Sequence, residues 1–472
     1  MKQIILTALA LLLTAPTCAE GTPTGGYDRY YTNLPKPMPT PNAPAIPSLS
    51  VSLKDYGAVG DGLTMNTRAF AKAMADLAKR GGGHLNVPAG IWLTGPIVLK
   101  DNIDLHLDRN ALILFSPDKR DFLTATDGKA AKVVPCLSAS KRSNIAVTGE
   151  GIIDGNGEYW RPVKRSKVSD TEWNQYRAMG GTVTAKGDLW YPFGLKHEPD
   201  VAEDHEAQER MRQHLVRFTD CRRVLVQGVT LRNAPRFHLV PQRCTDVIVD
   251  GITVACPWNA QNGDAIDIGN CRNVLIVNNT INAGDDGICM KGGAGAKGAA
   301  DGPCENINIQ DNRVYHAHGG FVIGSEFSGG MNNIYVHRNT FAGTDTGLRF
   351  KSATGRGGTT RDIHISQIYM TDIKDEAIVF ECDYTDNHVG AGAQKNAETD
   401  FLPEFTDIHI SDVVCHGART AIKARGRQGM IHGIGISRST LLYTQTAADI
   451  GPECDVRLDG VVLKDFGEWA GK

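Results

Sequence analysis

After residue 100 the chain keeps returning to one short phrase: Asn or Asp, then Val or Ile, any residue, then an aliphatic one. It reads Asn102-Ile103-Asp104-Leu105, Asn144-Ile145-Ala146-Val147 and Asp246-Val247-Ile248-Val249. It continues through Asn273-Val274, Asn306-Ile307, Asn333-Ile334, Asp362-Ile363, Asp407-Ile408 and Asp455-Val456, with variants at Arg223-Val224 and Gly433-Ile434. Apolar residues two apart predict short strands. From Val224 onward the spacings run from 22 to 45 residues. A period of ~20–30 residues is that of a solenoid; leucine-rich repeats would show Leu-x-x-Leu-x-Leu, and propeller blades need ~40–50 residues. The pattern predicts an all-β fold, a right-handed parallel β-helix.

A second strand recurs downstream in each coil. It reads Ala265-Ile266-Asp267-Ile268, Gly287-Ile288-Cys289-Met290, Gly320-Phe321-Val322-Ile323 and Gly347-Leu348-Arg349-Phe350, then Ala377-Ile378-Val379-Phe380 and Ala421-Ile422-Lys423-Ala424. The outer apolar pair should face inward and the middle residue outward. The alignment also places Cys221, Cys244, Cys271 and Cys304 three residues before an anchor each. They should stack as a buried apolar ladder rather than as disulfides.

Helical spacing occurs at 66–80, where Phe70, Ala73, Met74 and Leu77 share a face, Asn66 or Thr67 can cap, and Gly81 stops the helix. It predicts a lid on the N-terminal end of the solenoid. Ahead of it lies a secretory leader over 1–19: Met1-Lys2, an apolar run to Leu13, and Thr17-Cys18-Ala19. It predicts export to the periplasm, cell surface or medium of a bacterium. A lipid anchor on Cys18 is the alternative, which Pro16-Thr17 match poorly. The run is too short to span a membrane and no other stretch is long enough. Alternating prolines from Pro35 to Pro47 make 20–48 an extended arm, a spacer or a strap. One β-helix should then fill 49–472, interrupted at 158–213. That insertion holds three of the six tryptophans and reads as a flap shaping a binding site.

Composition narrows the functions. With 50 basic and 53 acidic residues there is no basic character suited to nucleic acid. Glycine, 52 of 472 residues, exceeds the ~7% of average usage without a collagen period, as many turns require. No Cys-x-x-Cys pair occurs, which removes a zinc ribbon or thioredoxin-like site.

Chemistry gathers ahead of the second strand. Asp264 and Asp286 fall at equivalent places one coil apart, and Asp285 is neighbour to Asp286. His318 falls at the Asp285 level one coil later, with Arg349 and Lys351 in the coil after. Coils stack ~4.7–4.9 Å apart, so three carboxylates, a histidine and two cations should form one strip. Clustered carboxylates repel, which keeps one protonated and suits acid–base catalysis. Inverting glycosidases place their carboxyl groups ~6.5–9.5 Å apart, a range a diagonal across one coil can reach. A Gly-Asp-Asp alone would only satisfy a turn; the joint occurrence in four coils carries the reading.

The segment from Asn262 to Lys351 resembles glycoside hydrolase family 28, the polygalacturonases, in four ordered motifs. These are Asn262-Gly263-Asp264, Gly284-Asp285-Asp286, Ala317-His318-Gly319 and Arg349-Phe350-Lys351. Gly263, Ala317 and Phe350 depart from the family's Thr, Gly and Ile. The broader likeness runs from about Val51 onward. The resemblance implies an inverting hydrolase of α-linked galacturonic acid in pectin-type poly- or oligosaccharide. Asp285 would be the acid, Asp264 and Asp286 would activate water, and His318 would tune the acid. Asn262, Arg349 and Lys351 would bind substrate. It implies no cofactor, no metal and a monomer. The insertion suggests exo action, by closing one end of a cleft. Rhamnogalacturonan or xylogalacturonan linkages, a β-helix pectate lyase and a non-catalytic glycan-binding protein are the alternatives. The Gly293–Gly298 run fits G-x-G-x-x-G, but no helix pattern follows, so it reads as a loop touching substrate rather than a dinucleotide site.

Overall fold

The structure, a computed structural model, describes residues 26–123, 132–192, 209, 211–383 and 400–469. The leader with Cys18 lies outside them. The described strands form one 31-stranded sheet that coils on itself, plus a separate three-stranded sheet. Pairing along the coil is parallel, and the register links the anchors without a slip. Ile103 pairs Ile145, Ile145 pairs Val224, and the row continues through Val247, Val274, Ile307, Ile334, Ile363, Ile408 and Ile434 to Val456. The second row is equally strict: Ile266, Ile288, Phe321, Leu348, Ile378 and Ile422. The fold is the right-handed parallel β-helix expected of the repeat.

The recurring Asn or Asp has a conformational cause. Asn102, Asn144, Asp246, Asn273, Asn306, Asn333, Asp362 and Asp407 all sit at φ between +50° and +60°. That left-handed corner favours Asn and Asp among residues with a side chain. Stacking then lets the corners bond to one another: Asn306 donates to Asn273 at 3.1 Å and Asn333 to Asn306 at 2.9 Å. A second, buried ladder runs Asn279 to Asn312 to Asn339, with side-chain bonds of 2.8 and 2.9 Å.

The interior is a column of aliphatic and aromatic side chains. Cys221, Cys244, Cys271 and Cys304 are buried and free, stacked as expected; the Cys221 and Cys244 amides lie 3.4 and 3.3 Å from the next sulfur in the column. The helix Thr67–Lys79 covers the N-terminal end with Ala69, Phe70, Ala73, Met74 and Leu77 buried. Asn66 precedes it without capping it. Its side chain instead holds the loop before the helix, accepting from Val59 N–H at 2.8 Å.

The described part of the proline arm is a strap. Tyr27 and Tyr30 pack on Ile248, Leu275 and Val277, and the Tyr30 carbonyl accepts from Asn308 and Gln310 at 2.8 and 2.9 Å. Farther along, Lys36 pairs with Asp362 at 2.6 Å and the Pro37 carbonyl accepts from Asn333. Apolar middle residues such as Ile248 and Leu275 therefore lie under the arm.

Two expectations are corrected. In the second strand Asp267, Cys289 and Val322 point outward yet are buried, and Cys289 Sγ lies 3.3 Å from the Gly324 carbonyl of the next coil's strand. And a short helix, Gly295–Asp301, begins inside the glycine run, where Gly295 N–H donates to Ser328 Oγ at 2.9 Å.

Candidate active site

The second strands and the turns before them carry the site. Backbone bonds fix the stacking: Ala265 N–H donates to Asp286 C=O at 2.9 Å, and Gly287 N–H to Gly319 C=O at 2.9 Å. His318 N–H donates to Asp285 C=O at 2.8 Å, and Thr346 N–H to His318 C=O at 3.0 Å. Asp264 and Asp286 thus share one row, and Asp285 and His318 the next. Glycine is required beside them. A Cβ on Gly284 would fall 2.5 Å from the Ala260 carbonyl. One on Gly263 would fall 2.9 Å from Cys256 Sγ, which accounts for the missing threonine at that position.

The result is a pocket of about 390 Å³ lined by Asn262, Asp264, Asp285, Asp286, His318 and Lys351, among others. Carboxylate oxygens of Asp264, Asp285 and Asp286 all lie within 4.8 Å of one another. Asp264 and Asp286 are stacked directly, and Asp285 joins them from the next row. Lys351 Nζ is 2.8 Å from Asp286 Oδ2, and Arg349 is 3.6 Å from Oδ1. His318 Nδ1 is 3.1 Å from Asp285 Oδ1. Asn262 lies at the rim, its carbonyl oxygen accepting from Arg212 at 2.8 Å. All seven residues named from sequence meet at this place.

Sequence reasoning missed several neighbours. Asp267 is 2% exposed and neither oxygen has a hydrogen-bond partner. Lys291, 3.8 Å away, is its nearest cation and donates to the Gly324 carbonyl at 2.8 Å. Asp345 continues the Asp285–His318 row, 3.7 Å from His318 Nε2. Register alone could have found it, since it stands three residues before Leu348 as His318 stands before Phe321. Lys167 is a different case. It comes from the insertion, where no repeat applies, and reaches the Gly284 carbonyl at 3.0 Å and His318 Nε2 at 3.3 Å.

The insertion has its own small core of Val163, Trp173 and Trp190. It holds the antiparallel strands Val163–Lys164, Thr182–Val183 and Leu189–Tyr191 and the helix Asp170–Ala178. Trp160 instead joins the main core, edge-on to Phe122. A further hollow of about 430 Å³ lies between the insertion and the loop through Pro257 and Ala260.

Electrostatics separates the acids. Burial pushes the Asp264 carboxyl well above the usual range, and repulsion from Asp267, Asp285 and Asp286 adds to it. Burial likewise raises Asp267, to about 7, against the pull of Lys291. Burial also acts on Asp285, but His318, with Lys351 and Lys167 behind it, outweighs it and holds this carboxyl low. At Asp286 the opposing cations are Lys351, Arg349 and Lys291, and they too prevail over burial. Asp264 therefore favours its protonated form, Asp285 and Asp286 their ionised forms, and Asp267 titrates near neutrality. Lys351 and Arg349 already supply positive charge to the carboxylate cluster, so no metal is assigned to it.

Known proteins resemble this chain in sequence and fold. The sequence profile of glycosyl hydrolases family 28 matches residues 163–449. An exo-poly-alpha-D-galacturonosidase of Dickeya chrysanthemi is 27% identical over 407 residues, spanning 82% of this chain and 66% of that one. A probable polygalacturonase of Vitis vinifera is 27% identical over 421 residues, 86% of this chain and 77% of its own. Among solved structures, a hyperthermoactive exopolygalacturonase from Thermotoga maritima superimposes with a TM-score of 0.74 at 28% identity, covering 90% of this chain and 94% of that one. The chain spans just under two thirds of the Dickeya relative's length. With more than half of its length matched, the chain belongs to glycosyl hydrolases family 28.

Proposed function

We propose that the protein is an exported hydrolase that releases galacturonic acid units from the ends of pectin-type chains, acting alone as a monomer. One observation carries the reading: Asp264, Asp285 and Asp286 each bring an oxygen within 4.8 Å of the others, and Lys351 and Arg349 stand beside Asp286. The relatives that act from chain ends support the exo part. So does the insertion, whose Lys167 stands at the edge of the aspartates.

In this reading a uronate carboxylate engages Arg349 as a bidentate partner and Lys351 as a point charge. That draws both cations away from the aspartates. Losing Lys351 relaxes part of the pull that keeps Asp285 ionised, and its principal partner His318, at 3.1 Å, passes the carboxyl a proton. Asp285 donates that proton to the glycosidic oxygen. Ionised Asp286 removes a proton from water while protonated Asp264 orients it. Bond cleavage with water attacking the opposite face inverts the anomeric carbon. Asn262 holds a sugar hydroxyl. Product profiling on polygalacturonate tests the function: monomer as the sole early product is expected, and mixed oligomers would overturn the exo assignment. The leader is tested by fractionation, with activity expected outside the cytoplasm.

A further inference from the structure

The hollow of about 430 Å³ beside the insertion is built by residues the catalytic strip does not use. The turn after Asp154 brings Glu158, Tyr159 and Arg161 to it, and a coil loop brings Pro257, Asn259 and Ala260. That loop parts the hollow from the catalytic pocket: Ala260 lines the hollow, and Gln261 and Asn262, next in the chain, line the pocket. The volume lies within the ~300–1,000 Å³ of small-ligand clefts.

Its apolar lining is left open to solvent. Tyr159 is 45% exposed and Met179 56%, and Trp258, between Pro257 and Asn259 in the loop, is 52% exposed. Behind them Tyr176 and the buried Trp190 line the hollow with their rings 5.0 Å apart. Large apolar side chains gathered and exposed around one concavity mark a binding surface.

The polar lining is already balanced. Buried Arg161 donates to the Ala234 carbonyl at 2.5 Å and to Asn233 Oδ1 at 2.7 Å, and Asn233 in turn donates to Glu158. Gly157 makes room for this guanidinium, since a Cβ there would collide with Nη1. Arg232 pairs with Asp154 at 3.2 Å. Both arginines thus have protein partners, and the hollow does not call for an anion. It offers aromatic faces together with a carboxylate and an amide, from Glu158 and Asn259. An uncharged sugar ring matches that set: its C–H face lies on an aromatic ring and its hydroxyls meet the polar groups.

We infer that this hollow is a second sugar site, for an uncharged sugar unit carried as a branch on the acidic chain that the catalytic pocket holds. The inference rests on the galacturonide reading for the chain that bears the branch. Tyr159 stacks on the branch sugar, and Glu158 and Asn259 take its hydroxyls. The one loop between hollow and pocket places branch and parent chain in a single substrate molecule.

The test has two arms, each on the full chain and its Tyr159→Ala and Tyr159→Trp variants. Saturation-transfer NMR uses methyl β-D-xylopyranoside and methyl β-D-galactopyranoside, each with and without excess galacturonate. Ring protons of at least one glycoside should receive saturation that galacturonate does not displace. Tyr159→Ala should weaken that signal about fivefold and Tyr159→Trp retain it, as loss and return of a stacking face require. No transfer, displacement by galacturonate, or a signal unchanged in Tyr159→Ala would overturn the site. Kinetics then compares polygalacturonate with a xylose- or galactose-branched galacturonan, matching the glycoside that binds. KM should be lower for the branched polymer by about fivefold. Tyr159→Ala should erase the difference with polygalacturonate turnover within twofold. Equal KM values in the unvaried protein, or the same preference in Tyr159→Ala, would overturn the branch assignment and leave the hydrolase reading standing. Hydrolysis of neither polymer by the unvaried protein would overturn the galacturonide reading, with sugar binding in the hollow still read by NMR.

Discussion

At the scale of single residues, the positions of the reacting groups were legible and their ionisation was not. Asp264, Asp285, Asp286 and His318 follow from counting coils, since a strict register turns sequence spacing into stacking. Which acid holds the proton depends on Lys167, Lys291 and burial, none of which the repeat encodes. Asp285→Asn should lower turnover by ~10²–10⁴-fold while leaving oligogalacturonide affinity nearly unchanged by calorimetry; full activity would remove Asp285 from the mechanism. A substrate with a good leaving group assigns the acid. On a nitrophenyl galacturonide the Asp285→Asn loss should shrink, whereas Asp286→Asn should stay inactive. If Asp264→Asn is the variant rescued, that residue is the acid.

Asp267 makes a separate prediction. Its folded carboxyl titrates at about 7, above the ~3.9 of an unfolded chain, so the native state binds the extra proton between those values. Its contribution is intact below the unfolded value and is lost as pH rises toward 7. Asp267→Asn should therefore raise Tm at pH 8 and much less at pH 4, read by scanning fluorimetry. A uniform shift at both pH values would contradict the buried-acid account.

At the scale of elements, the strands and corners were written in the sequence and the insertion was not. Each strand announces itself by an apolar pair two apart, and each corner by an Asn or Asp that can adopt positive φ. The buried Asn ladder was invisible for a plain reason: Asn279, Asn312 and Asn339 look like turn residues until stacking makes them donors to the turns of neighbouring coils. Asn312 donates to the Ile276 and Gln310 carbonyls and to Asn339. Asn312→Ala leaves these buried groups unpaired at ~1–3 kcal/mol each, and should lower Tm sharply with KM unaltered. The insertion has no period, so only its aromatic content was visible. Trp190, 2% exposed in its small core, is the residue to remove. Trp190→Ala should loosen the insertion at a cost of ~3–5 kcal/mol. It should shift early products from monomer toward mixed oligomers while the main unfolding transition holds its Tm. Monomer as the sole product in that variant would detach exo action from the insertion.

At the scale of the whole molecule, a near-neutral chain conceals a sharply patterned surface. Cations and carboxylates gather in one pocket, and a tyrosine-led arm packs on Ile248, Leu275 and Val277 of the first strand row. The solenoid makes this arrangement because each coil contributes one residue per row, so a catalytic strip needs only a few substitutions on a fixed scaffold. Inversion at the anomeric carbon is the central claim for this strip. Proton NMR of trigalacturonate during the first turnovers reads the outcome directly. The account predicts that the newly freed reducing end appears as the β-anomer and only later mutarotates. An α-anomer appearing first, or olefinic proton signals from an unsaturated product, would contradict it.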